Sequence, residues 1–393
     1  MDFSLSDRDS IFASEVRRWL EAELPREWRR DHLWTDADDP SWHDVARAWQ
    51  AKLHAGGWAA ISWPREHGGR DATPIERWLF DEELDRAGAP RPFANDDIDM
   101  IGVAILRHGT DAQRRRFLEP LLSAREVWCQ GFSEPGAGSD LAGLRTRAER
   151  RGDEFVVSGQ KVWTSYADKA DWCFLLCRTE PQAPKHKALS LLLVDIRSPG
   201  ITVRPLRQMT GEVEFCEVFF DSVRVPASSI VGAPGSGWSI AMGILANERG
   251  PVWTFGFQRG IRRSFEKTAA LARRLGGGRV DDAKLRQRLA QSYVEDEILR
   301  FVGYRSLTRM MRRGQPGPES SIEKILGSET DQRLQETAMA VLGPYALLSE
   351  GPRAPVGGTS AAAYLYSRAN TIMGGTSEIQ RNIIAQRVLG LQR

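Results

Sequence analysis

The chain has 393 residues, 41% hydrophobic and 27% charged, the make-up of a soluble globular protein with core for about two or three domains. Its 54 basic and 52 acidic residues leave a net charge of +2, so neither nucleic acid nor an anionic membrane is expected as a partner. No apolar run reaches the length of a spanning helix, the best being the strand-sized ALSLLLVDI, and the polar start MDFSLSDRDS does not read as a signal peptide.

Residues 1–125 show helical spacing. In SDRDSIFASEVRRWLEAELP the apolar positions Ile11, Phe12, Val16, Trp19, Leu20 and Leu24 make one stripe, ended by Pro25. TPIERWLFDEELDRAGAP predicts a second helix, with Thr73 as N-cap, Glu76 completing a capping box, and Gly88 and Pro90 as the stop. DAQRRRFLEPLL predicts a third. From 126 to 232 the period changes. VWCQGF, EFVVSGQKVW, DWCFLLCRT, ALSLLLVDI, ITVRPL and VEFCEVFFDSVRVP are short, rich in β-branched and aromatic residues, and separated by turn residues. They predict a middle antiparallel β-barrel or sandwich domain. From 233 to 393 long amphipathic segments return, beginning with one helical run from GWSIAMGILANERG through PVWTFGFQRGIRRSFEKTAALARRL, and predict a C-terminal α-helical bundle. The fold class is thus α+β and multidomain: N-terminal α-helical domain, middle β domain, helical bundle. Cys129, Cys173, Cys177 and Cys216 have no metal-ligand spacing and read as buried reduced thiols, with no metal site and a cytoplasmic location implied.

The densest stretch is Gln130-Gly-Phe-Ser-Glu-Pro-Gly-Ala-Gly-Ser-Asp140. A strand runs into a loop of glycines, hydroxyls and carboxylates that can turn backbone N–H groups toward an anion or a heteroaromatic edge. GAGSDLAG imitates a dinucleotide fingerprint, but strand rather than helix follows, so a Rossmann unit is excluded. Downstream, Trp163, Thr164 and Ser165 end a strand; a tryptophan followed by two hydroxyls suits either a barrel core or the face and rim of a flat cofactor. Near the C-terminus, TIMGGTSEIQRN carries two glycines that allow close backbone approach, then Thr376 and Ser377, which can cap the next helix.

SEPGAGSD, SGQKVWTS, GGTSEIQRNIIAQRVLG and the earlier GWAAISWPREHGG stand in an order and at separations that resemble the acyl-CoA dehydrogenases over nearly the whole chain. The resemblance implies FAD between the β domain and the C-terminal bundle. It assigns Gln130, Phe132, Ser133, Gly138 and Ser139 to one flavin edge and the acyl-CoA entrance. Trp163, Thr164 and Ser165 would lie against the isoalloxazine, and Thr376 and Glu378 toward the phosphate or adenine side. It implies removal of the α-proton of a thioester by a carboxylate while a hydride leaves the β-carbon for flavin N5. The family usually places that carboxylate just before GT in the GGT loop, where this chain has Gly374, whose backbone N–H remains a donor for the thioester oxygen. Isovaleryl-CoA and long-chain types place it instead on the first long helix of the bundle, before an arginine, and here that position reads Asn247-Glu248-Arg249-Gly250. By itself a Glu-Arg pair on a helix reads as a solvated face. The small apolar flanks, the irregular Gly250-Pro251 and the missing carboxylate at 374 point instead to Glu248 as the base, with Arg249 holding the substrate or the local helix geometry.

Family homotetramers complete each flavin site from a neighbouring subunit, through an arginine in RxxFG and a glutamine before GG. Here ARRLGGGRVDD offers Arg274 (or Arg273) but Gly276 to Gly278 in place of the phenylalanine, and AMAVLGPYAL has Ala340 and Pro344 where glutamine and glycine are expected. The donated half-site is degraded while the retained one is intact, which implies either a homotetramer that binds the FAD tail by other residues or an α2β2 heterotetramer with a related chain. Such pairs occur in the family on bulky, ring-bearing acyl-CoAs such as steroid side chains, and Gly374 and Gly250 leave room for a wide acyl group. The expected function is FAD-dependent acyl-CoA dehydrogenation in fatty acid or steroid degradation, passing electrons to an electron-transfer flavoprotein. The alternatives are a flavin oxidase or monooxygenase on the same fold, or a non-catalytic partner subunit.

Overall fold

The computed structural model describes residues 4–29, 42–90, 92, 97–248, 251–275, 282–314 and 317–392; the side chains of 248 and 251–253 also lie outside that description. The chain divides into two compact units, residues 1–248 and 249–393.

The first unit opens with helices α1 (Asp7–Glu23), α2 (Trp42–Ala55), α3 (Pro74–Ala87), α4 (Val103–His108) and α5 (Asp111–Leu122). Three of them start on capping boxes, Ser6 with Asp9, Thr73 with Glu76 and Thr110 with Gln113, so the first-turn N–H groups are satisfied locally. The expected Thr73 box and Gly88 stop are both present, with Gly88 at φ 70°. Phe12, Val16, Leu20 and Leu24 of the expected stripe are buried and Trp19 packs beside them, but Ile11 faces solvent. The core these helices build includes Trp49, Trp58 and Phe80, with Trp58 stacked on Phe80 at 5.6 Å.

Strands β1 (Trp128–Gly131), β2 (Arg147–Arg151), β3 (Glu154–Ser165), β4 (Trp172–Arg178), β5 (Leu189–Asp195), β6 (Ile201–Leu206), β7 (Phe215–Pro226) and β8 (Ile230–Val231) form one eight-stranded sheet. The order is β6-β7-β3-β2-β4-β5-β8, with β1 against β4. Most pairings are antiparallel; β1 and β2 each meet β4 in parallel. Alternate residues of β4 enter two different cores. Phe174 and Leu176 pack with α4, α5 and α6 (Gly237–Glu248), while Cys173, Leu175 and Cys177 pack with β3 and β7. Burial on both faces is why CFLLC and LSLLLV read as unbroken apolar runs. All four cysteines are buried free thiols.

The second unit holds α7 (Pro251–Leu275), α8 (Ala283–Arg313), α9 (Ser320–Leu342), α10 (Thr359–Asn370) and α11 (Ser377–Ile383). The sequence suggests one helix through 237–275; α6 is described to Glu248 and α7 from Pro251, and residues 249–250, on which that expectation turns, lie outside the described residues. Among the described residues, no helix is long and apolar enough to cross a membrane.

Candidate active site

The loop after β1 is fixed from beneath by a buried ion pair. Lys161 of β3 is fully buried and donates to the Glu134 carboxylate at 2.9 Å and to the Phe132 carbonyl at 2.8 Å. Glu134 also accepts the backbone N–H groups of Arg145 at 2.7 Å and Thr146 at 2.8 Å. Burial alone would raise the Glu134 carboxyl, yet Lys161 and these donors hold it below its usual value. Burial lowers the Lys161 ammonium, with Glu134 acting against that shift. Glu134 and Ala137 close the Pro-Gly turn with reciprocal backbone bonds of 3.1 and 3.0 Å, and the Ser133 carbonyl accepts from Val162 N–H at 3.0 Å. Phe132 is buried against Phe174, while Ser139 and Asp140 are exposed, Asp140 paired with Lys185 at 2.6 Å. Gly136 and Gly138 have nothing within 4 Å of where a Cβ would stand, so this rim faces open space.

Two residues past Lys161 the strand breaks register. The β3–β7 pairing shifts between Lys161 and Thr164, and Trp163 takes φ +60°. Left-handed backbone is costly for an aromatic residue and persists where the surroundings enforce it. Here it turns the indole outward: Trp163 is 61% exposed and rests edge-on against Phe215 at 5.8 Å. Next to it Thr164 is fully buried, and among the described residues its Oγ1 has no hydrogen-bond partner; the buried Nε2 of Gln130 is likewise unpaired there. Ser165 is half-buried. The first unit therefore brings Gln130, Phe132, Ser133, Trp163, Thr164 and Ser165 onto two segments joined by the Lys161–Glu134 pair. Neither Lys161 nor Glu134 was singled out from the sequence, although a lysine on the inward side of an alternating strand is the signal of a buried partner.

In the second unit the GGT loop is built as a left-handed pair, Gly374 at φ 63° and Gly375 at φ 91°. Gln380 Nε2 donates to both their carbonyls, at 2.9 and 3.2 Å. Thr376 caps α11, its hydroxyl accepting from Ile379 N–H at 3.3 Å. Glu378 has its carboxyl held below the usual range by its own backbone N–H, then by the Thr376 hydroxyl. Thr376, Ser377 and Glu378 line a cleft of about 440 Å³ with Gln332, Arg333 and Arg381. Ser377 Oγ is buried without a partner among the described residues. Arg274 is exposed in the last turn of α7, and Ala340 is half-buried near the end of α9. Pro344 stands in the 3-10 turn after α9. Arg249, Gly250 and Gly276 to Gly278 lie outside the described residues; Glu248 is the last residue of α6, with its side chain outside that description.

Family models for the acyl-CoA dehydrogenase N-terminal, middle and C-terminal domains match residues 6–125, 129–223 and 235–389. The chain is 41% identical over 385 residues to acyl-CoA dehydrogenase IpdE1 of Mycobacterium tuberculosis, covering 97% of both chains. It is 42% identical over 393 residues to IpdE1 of Mycolicibacterium smegmatis, again over 97% of both. Among solved structures it is similar to the Tcur3481-Tcur3483 steroid ACAD, at 31% identity and TM-score 0.84 over the whole of both chains. It is also similar to the ChsE4-ChsE5 complex from Mycobacterium tuberculosis, at 32% identity and TM-score 0.81 over the same extent. With all three domain models matched in order, the chain belongs to the acyl-CoA dehydrogenase family of flavoprotein oxidoreductases.

Proposed function

We propose that this chain forms a carbon–carbon double bond between Cα and Cβ of a bulky, branched or ring-bearing acyl-CoA, with FAD as its cofactor. The observation that carries the reading is the outward, left-handed Trp163 beside the orphaned hydroxyl of Thr164. A strained aromatic face next to an unpaired buried donor suits a flat heteroaromatic group with polar rim atoms. Gln130, Phe132, Ser133, Gly138, Ser139 and Ser165 are the first unit's other candidates to hold it. Thr376, Glu378 and Arg274 are those of the second unit. FAD, when bound, supplies the two-electron acceptor for the β-hydride.

The chain's own part is to take the α-proton. Gly374 removes the carboxylate that the family's GGT loop usually carries, leaving Glu248 at the end of α6 as the base, with Arg249 beside it for the substrate. The C–H bond breaks toward the Glu248 carboxylate, which becomes a carboxylic acid. A bulky substrate is supported by the two small residues Gly374 and Gly250 and by similarity to a structure described as a steroid ACAD. Ala340, Pro344 and Gly276 to Gly278 support an α2β2 assembly with a related chain, as does the solved ChsE4-ChsE5 complex; a homotetramer is the other outcome. An electron-transfer flavoprotein is the proposed acceptor, and the four buried free thiols suit the cytoplasm.

The test is flavin content and the visible spectrum before and after anaerobic addition of acyl-CoA, for the chain alone and with its related chain. Bleaching by substrate in wild type, with Glu248→Gln retaining flavin and acyl-CoA binding but not bleaching, is expected. Unchanged bleaching in Glu248→Gln would show that the base lies elsewhere, and rapid reoxidation by air would favour an oxidase.

A further inference from the structure

The GGT loop has little of its own to hold it. Residues 371–376 join α10 to α11, and two of them are left-handed glycines with no side chain to pack. A backbone N–H stabilises developing charge on a carbonyl oxygen only where it is aimed beforehand, to a few tenths of an ångström. Gln380 fixes the two glycine carbonyls from the α11 side. The other foot of the loop, Asn370 and Thr371, is fixed by α9.

Lys324, Asp331 and Gln332 are spaced by about two helical turns, so they project from one face of α9. Lys324 is buried and donates through Nζ to the Asn370 carbonyl at 2.7 Å. That carbonyl belongs to the last residue of α10, where a helix leaves its acceptors without internal partners and where a cation suits the helix dipole. Asp331 accepts from Asn370 Nδ2 at 2.7 Å and from Gln335 Nε2 at 2.9 Å. Gln332 Nε2 donates to Thr371 Oγ1 at 2.9 Å and to the Ser367 carbonyl at 3.1 Å. The Thr371 carbonyl in turn accepts from Ser377 N–H at 2.9 Å, so the residue that α9 grips also ties the two ends of the loop together.

Apolar residues at these positions would join α9 to α10 with no desolvation penalty. Here burial raises the Asp331 carboxyl, and the buried Asn370 Oδ1 has no partner among the described residues; both are losses for packing alone. What directional bonds add is a fixed place for the main chain just before Gly374. Resting on the reading of the GGT loop as the element that gives the Gly374 N–H to the thioester oxygen, we propose that Lys324, Asp331, Gln332 and Asn370 are positioning residues that set the aim of that donor. None of them needs to touch substrate.

The experiment is a pH titration of acetoacetyl-CoA bound to the flavin-loaded complex. Its acidic α-carbon ionises without dehydrogenation, and the enolate beside oxidised flavin gives a long-wavelength charge-transfer band. The apparent pKa of that band reads how well charge on the thioester oxygen is stabilised. Wild type should lower it below its value in water. Asn370→Leu, Gln332→Leu and Lys324→Met should each raise it again by about one pH unit, a tenfold weaker stabilisation and a fraction of what losing an oxyanion donor outright costs. Lys324→Arg should restore part of the effect. Flavin content and the Kd of S-propyl-CoA, a thioether with no carbonyl oxygen, should stay within about twofold of wild type. Should Lys324→Met fail to fold, Gln332→Leu decides, since Gln332 is only half-buried. Variants with the wild-type enolate pKa would overturn the proposal and leave these residues a structural role alone. A wild type that does not lower the pKa would show instead that the GGT loop is not the donor, so the two failures are told apart.

Discussion

The ammonium of Lys161 and the carboxylate of Glu134 stand 2.9 Å apart, 27 residues apart in sequence and buried from solvent, and together they join the loop after β1 to the strand that carries Trp163. Removing one partner leaves a buried charge uncompensated. Lys161→Met or Glu134→Gln should therefore cost about 3–5 kcal/mol in denaturant unfolding. The double change Lys161→Met with Glu134→Leu should recover only part of that stability, since it removes the charges but leaves the Arg145 and Thr146 N–H groups without their acceptor, and it should not recover flavin binding, because the loop loses its tie. A double variant that binds FAD as wild type does would show that the pair serves stability alone.

Thr164 offers a cleaner separation of stability from binding. Its buried Oγ1 has no partner among the described residues, so Thr164→Val should leave the flavin-free protein as stable or stabilise it by about 1 kcal/mol. The same change should weaken FAD binding by roughly tenfold, one lost hydrogen bond. Thermal melts with and without added FAD read both quantities, and equal loss in the two would mean that the hydroxyl has a structural partner.

The second unit should respond to pH through Glu323 of α9. Its carboxyl is fully buried, takes hydrogen bonds from Thr254 and Ser306, and is pushed by burial up to about 7, against the pull of Thr254 and Arg305. A raised carboxyl means that the folded state holds a proton which the unfolded chain has released above its ordinary value of 4.5. Stability then falls as pH rises from about 4.5 to about 7 and levels off above, by up to about 3 kcal/mol. Burial raises Asp296 and Asp331 as well, so they add to the same slope. Glu323→Gln should flatten the profile across that window; a variant with the wild-type slope would assign the effect to the two aspartates.

Gln380 should matter more to the GGT loop than to α11. Gln380→Ala removes both bonds that hold the Gly374 and Gly375 carbonyls, while Thr376 still caps the helix. A stability loss of about 1–2 kcal/mol is expected, with faster amide exchange at 374–376 than at 379–383. Equal exchange along both stretches would refute the assignment.

Much of the fold was legible because its signals are local. Thr73 and Glu76 announce a helix start within four residues, and alternation in the middle third announces strands. The candidate site residues divide differently. The motifs nominate Gln130, Ser133, Trp163 and Thr164, but what holds the segments that carry them is not in the motifs, because Lys161 meets Glu134 only through sheet register. Ile11 misled because it flanks the stripe by one position, enough to turn a side chain about a third of the way round a helix.

The parallel pairing of β1 with β4 also sets an order of assembly. Trp128 and Gln130 find their partners at Trp172 and Phe174, so the strand that leads into the Ser133–Asp140 loop cannot be paired while the chain is emerging only as far as β3. The loop proposed to hold the flavin is thus anchored only once β4 has been made and paired. Supplying riboflavin to the expressing cells should rescue weak binders such as Thr164→Val and leave variants with a broken β4 in the insoluble fraction.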